Sequence, residues 1–127
     1  MKPDAYLLSL GITPNYVGFF YAEHGILLAM EDPRRLTLIT KQLYPMIAEH
    51  FGVTWRAVER AIRTVVNEAW LHGNRVMLEK VLCQTLLEPP TNGRFIGAAA
   101  YYLKGKAALP KKKRSEQKDG TEPQNPA

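Results

Sequence analysis

One stretch in the middle of the chain constrains the fold more than any other. It reads Tyr44-Pro-Met-Ile-Ala-Glu-His-Phe-Gly-Val-Thr-Trp-Arg-Ala-Val-Glu-Arg-Ala-Ile-Arg63. Ile47, Phe51, Val53, Val58 and Ile62 supply apolar contacts for two short helices that face each other. Between them Gly52 stands where the chain needs a left-handed backbone, which glycine adopts without steric penalty. Thr54 follows as the cap of the second helix, its hydroxyl placed to accept from a free amide one turn on. Ala48 falls where the helices touch, and a larger side chain there pushes them apart. The pattern predicts a helix-turn-helix.

The second helix of that motif has two distinct faces. Val58, Ile62, Val65, Val66 and Ala69 form a buried stripe at helical spacing. Trp55, Arg56, Glu59, Arg60, Arg63 and Asn67 occupy the opposite side. A recognition helix lies in the major groove of double-stranded DNA and reads bases with side chains near its start. The arginine fork matches the O6 and N7 acceptors of guanine, and Glu59 is placed to accept from cytosine N4 or to orient Arg63 four residues on. A surface helix with merely solvated arginines gives the same periodicity, and it is the preceding turn that favours recognition.

A chain of 127 residues, 46% of them hydrophobic, is one domain with enough apolar surface for a core that needs no disulfide or metal. Its single cysteine, Cys83, excludes an internal disulfide and is expected to fill a small apolar space between Val81, Leu82, Leu86 and Leu87. No apolar run approaches the length of a membrane span and no signal peptide opens the chain, so a soluble cytoplasmic protein is expected. The net charge of +5 is unevenly placed. Residues 1–103 carry ten Lys+Arg against nine Asp+Glu, and residues 104–127 carry seven against three. Nucleic-acid affinity must therefore come from a local basic patch or from the tail.

In chain order, Asp4 to Leu10 reads as a short helix closed by Gly11. Thr13 is expected to cap a second helix, with Pro14 in its first turn, that runs to Asp32-Pro33. Gly18 and Gly25 lie inside it and point to close backbone packing on another helix. The aromatic group Tyr16, Phe19, Phe20 and Tyr21 could stack on bases, but with no strand pattern around it the expectation is core. A third helix covers Arg34 to Phe51, with Leu36, Ile39, Leu43, Ile47 and Phe51 inward. Pro45 kinks or divides it, so that the first motif helix begins at Tyr44. The second motif helix continues to about Leu71 and ends at Gly73, with Trp70 as a core anchor. Residues 75–87 read as another helix. Pro89-Pro90 breaks the chain, and Thr91 caps a last helix from about Asn92 to Lys104. The expected fold is thus all-α, about six helices around the helix-turn-helix over residues 1–104. Residues 105–127 are expected to be a disordered basic tail.

Catalytic constellations are missing from the sequence. His24, His50 and His72 have no ligand partners at metal spacing, the glycines form no phosphate loop, and Ser9 and Ser115 lack a nucleophile context. No enzyme activity, metal or cofactor is expected.

Three strings extend the motif into a resemblance. They are Ile39-Thr-Lys-Gln-Leu-Tyr-Pro-Met-Ile-Ala48, Val58-Glu-Arg-Ala-Ile-Arg63 and Ala69-Trp-Leu-His-Gly-Asn74. Flanking them are Leu8-Ser-Leu-Gly-Ile12, Gly18-Phe-Phe-Tyr21 and Pro90-Thr-Asn-Gly-Arg-Phe-Ile96. Over about residues 5–104 the chain resembles the C-terminal DNA-binding domain of the stage zero sporulation protein A family, response regulators that control entry into sporulation. The resemblance implies a six-helix domain that binds boxes related to TGTCGAA, often as tandem or dimeric copies. It also implies contact with RNA polymerase and its sigma factor. Glu59, Arg60 and Arg63 fall on the family's base-facing string, and Thr54 matches as the cap. Trp55, Arg56 and Ala57 stand where the family has small or basic residues. The family's N-terminal receiver domain has no counterpart in this sequence, and Asp4 has no acidic neighbours to hold magnesium. The chain is either a fragment or a stand-alone relative, and a stand-alone relative is expected to bind without phosphorylation, activating genes or competing for the same boxes. A protein-interaction module of the same fold, binding RNA polymerase, sigma factor or a full-length family member, is the alternative.

Overall fold

Segment 17–31 is apolar on nearly every side, a composition that only burial between other helices satisfies. A computed structural model, which describes residues 1–105, places it there. The described residues form six α-helices and no strand: α1 (Pro3–Ser9), α2 (Val17–Glu31), α3 (Tyr44–Phe51), α4 (Trp55–His72), α5 (Arg75–Leu82) and α6 (Asn92–Lys104). Helix α2 runs through the middle, packed on α4 and α6, with α1 and α3 against its flanks. Tyr6, Leu7, Leu10 and Ile12 from the N-terminal segment meet Ile26, Ile47, Ile62, Leu78, Phe95 and Ile96 in one continuous core.

Gly18 explains how closely α2 approaches α4. A Cβ there would collide with the carbonyl oxygen of Ala61 and stand 3.0 Å from Val65 Cγ1. The backbone of one helix thus lies on the backbone of the other, as a glycine inside a helix suggests. Phe19 and Tyr21 are buried as expected of core aromatics, whereas Phe20 is exposed and Tyr16 half-buried.

The element ends follow local chemistry, and four expectations change. Helix α2 starts at Val17 rather than at a Thr13 cap, because the Thr13 carbonyl closes a turn with the Tyr16 amide (3.1 Å) first. Segment 34–51 is divided at Tyr44, as Pro45 suggested, but the part before Tyr44 is not α-helix. A 3-10 helix (Pro33–Leu38) and a π turn (Ile39–Leu43) precede α3. Pro45 has no N–H to continue the α ladder, and the Tyr44 amide instead bonds the Ile39 carbonyl, five residues back. Phe51 and Val53, expected inward, lie at the surface; the Phe51 ring packs 5.0 Å from that of Tyr21. Finally, the helix expected over 75–87 stops at Leu82.

That last change moves Cys83. It is exposed, not an apolar filler, and takes a left-handed backbone (φ 59°) that ends α5. The Gln84 amide bonds the Glu79 carbonyl at 3.2 Å, and the Glu79 carboxylate accepts from the Leu86 amide at 2.8 Å. One glutamate therefore fixes the chain's exit, and Leu86 is buried while Leu87 points to solvent. Of the tail expected over residues 105–127, all but Gly105 lies outside the described residues.

Candidate nucleic-acid interface

The turn between α3 and α4 is built as its residue types require. Gly52 has φ 69° and ψ 38°, and the Val53 amide bonds the Ala48 carbonyl at 3.0 Å. Thr54 has extended backbone and its hydroxyl accepts from the Ala57 amide at 3.2 Å. Ala48 is buried at the helix contact. Val58, Ile62, Val65, Val66 and Ala69 pin the underside of α4 to the core.

Of the residues expected on the outer face of α4, the three arginines stand there, whereas Trp55 turns toward the core and packs against it. Arg56, Arg60 and Arg63 are exposed; Glu59 and Asn67 are half-buried. Among the described residues neither Arg56 nor Arg60 pairs with a carboxylate, whereas Arg63 forms an ion pair with Glu59 one turn back. Thr54 is exposed at the start of the same helix. Trp55 is half-buried: its ring lies parallel to that of Tyr44 at 6.4 Å, and the Arg56 guanidinium covers it at 5.0 Å from the ring centre. It thus anchors the start of α4 to the start of α3.

Beside this face runs a cleft of about 530 Å³. Glu59, Arg63 and Asn67 form one wall, and Thr91, Asn92 and Gly93 at the start of α6 form the other. Tyr44 lies at the base, buried, and burial raises its phenol above the ordinary value. The hydrogen bond from Asn92 and the charge of Arg63 work against that rise without cancelling it. The hydroxyl therefore stays neutral at physiological pH.

Asn92 is the residue that sequence reasoning missed. It was legible only as the first residue after a Thr cap, and Thr91 does cap α6, accepting from the Arg94 amide at 3.2 Å. Nothing in the sequence signals that the Asn92 side chain is buried and donates to Tyr44 Oη (3.1 Å) and to the Glu59 carbonyl (3.0 Å).

No group of three or more metal-ligating side chains gathers among the described residues, and no described helix is long and apolar enough to cross a membrane. What the fold presents is an arginine-bearing second helix of a helix-turn-helix, which defines the class of DNA-binding domains. Within that class the chain belongs to the family of the C-terminal domain of sporulation initiation factor Spo0A, whose family model matches residues 4–103. It is accordingly a DNA-binding regulator domain of the sporulation type.

Proposed function

We propose that this domain reads duplex DNA with α4 in the major groove, at boxes related to TGTCGAA. Thr54, Trp55, Arg56, Glu59, Arg60, Arg63 and Asn67 form the contact face. The reading is carried by one observation: Arg56, Arg60 and Arg63 are exposed on the side of α4 opposite its buried stripe. Arg60 and Arg63 are the base readers, each offering a fork to guanine O6 and N7. Glu59 aims Arg63 through their ion pair and can accept from cytosine N4. Arg56 and the cap region at Thr54 meet phosphates, which set register without reading sequence.

In this reading residues 1–104 are the DNA-binding unit and residues 105–127 supply a basic tail that adds sequence-independent affinity. The domain works in the cytoplasm, binds tandem boxes as a homodimer and touches RNA polymerase or its sigma factor. The near balance of charge over residues 1–103, ten basic against nine acidic, favours a second reading. In it the fold serves as an interaction module for polymerase, sigma factor or a full-length relative. Arg60→Ala combined with Arg63→Ala separates the two. A DNA reader loses preference for its box over a shuffled duplex, whereas an interaction module with no box preference keeps its protein partner.

A further inference from the structure

Tyrosines apart, Asn92 is the one buried polar side chain among the described residues, 8% exposed. Both hydrogens of its carboxamide are used. One goes to Tyr44 Oη, at the first residue of α3, and the other to the backbone carbonyl of Glu59, one turn into α4. A carbonyl inside a helix already serves the helical ladder. A second donor is not needed to satisfy it, so what this bond adds is position. It ties α4 off its axis, at the turn from which the Glu59–Arg63 pair projects.

We propose that Asn92 is a positioning residue for base discrimination: its carboxamide sets the roll of α4 and thereby aims Arg60 and Arg63. The inference rests on the DNA-reading function proposed above. The apolar stripe under α4 sets its depth, and the carboxamide adds the directional constraint that aliphatic contacts lack. A roll of about 15° displaces a guanidinium about 9 Å from the helix axis by roughly 2 Å. A bidentate contact tolerates about 0.5 Å. Phosphate contacts made by long, flexible side chains absorb the same shift. Loss of the tether therefore acts on discrimination and spares sequence-independent binding.

The second bond completes the device. Tyr44 packs parallel to Trp55, the first residue of α4. Through Tyr44 and Glu59, Asn92 holds α4 at its start and one turn further in, and both links lead back to the first residue of α6.

The test measures binding of the full chain to a TGTCGAA-box duplex and to a shuffled duplex at the same salt, by fluorescence anisotropy. The readout is the dissociation constant on the shuffled duplex divided by that on the box. Asn92→Ala lowers that ratio about tenfold while the shuffled-duplex constant stays within about twofold. Tyr44→Phe removes one arm, keeps the ring packing, and lowers the ratio about threefold. It decides the matter if Asn92→Ala does not fold. A merely structural role reduces the active fraction and weakens both duplexes equally, leaving the ratio intact. An unchanged ratio in the folded variants overturns the role of Asn92 and leaves DNA reading standing. A wild-type ratio near one overturns both.

Discussion

Arg63 makes a contact within the protein and is assigned another to DNA, and the two differ in size. Its pair with Glu59 joins residues four apart on a helix, with the arginine side chain 61% exposed and the glutamate 25%. Such a pair contributes about 0.2–0.5 kcal/mol to stability. A bidentate arginine–guanine contact discriminates by about 1–3 kcal/mol, or about 5- to 150-fold in affinity ratio. Arg63→Ala should therefore shift the melting temperature by less than about 3 °C while cutting the preference for box over shuffled duplex about 5- to 150-fold. Thermal melting of the free domain and anisotropy titration at one fixed salt concentration give both numbers. Glu59→Gln is the control, since it releases the ion pair without removing the guanidinium, and a smaller loss of preference is expected. A large drop in melting temperature with equal weakening on both duplexes would refute the reasoning, because Arg63 would then be holding the fold rather than reading a base.

Other perturbations test separate parts of the account. Gly18→Ala drives a methyl into the Ala61 carbonyl, so urea unfolding should show a loss of about 1–3 kcal/mol despite alanine's better helix propensity; a gain refutes the close α2–α4 approach. Cys83→Gly removes a left-handed non-glycine residue and should stabilise by about 0.5–1 kcal/mol in the same assay, with destabilisation as the contrary result. The His24 ring lies parallel to that of His50 at 4.1 Å, and burial first, then His50, hold its imidazole below the ordinary 6.5, with Glu31 opposing. The folded state therefore takes up this proton less readily than the unfolded chain, and stability is lost as pH falls from about 6.5. The melting-temperature drop between about pH 7.5 and pH 5.5 should shrink in His24→Gln; an equal drop contradicts it. Deleting residues 105–127 should flatten the dependence of log K on log salt and leave base preference alone, so an unaltered slope denies the tail a role on DNA.

What the sequence made legible was whatever depends on near neighbours. Gly52, Thr54 and the Val58–Ala69 stripe specify their turn, cap and buried face by local rules, and the structure agrees at each. Gly18 was legible because a helical glycine has few reasons other than close packing. Cys83 was not, because its place depends on the Glu79 carboxylate reaching forward to the Leu86 amide, which cuts a periodic apolar run short. Phe51 was misplaced because spacing puts it on the inner face of α3 but does not show that its ring packs against Tyr21 and His24 of α2 at the surface. Asn92 bonds partners 48 and 33 residues away, and no pattern in a single sequence joins such positions. The exposed face of α4 was legible as a surface; how it is aimed was not.

The most direct trial is a selection of random duplex DNA by the whole chain at one stated salt concentration, run beside the Arg60→Ala, Arg63→Ala double variant. Enrichment of a motif related to TGTCGAA by the wild-type chain, lost at its G·C pairs in the variant, is the predicted result. Pools that stay unenriched, or that yield the same motif with both proteins, would contradict the claim that α4 reads the bases.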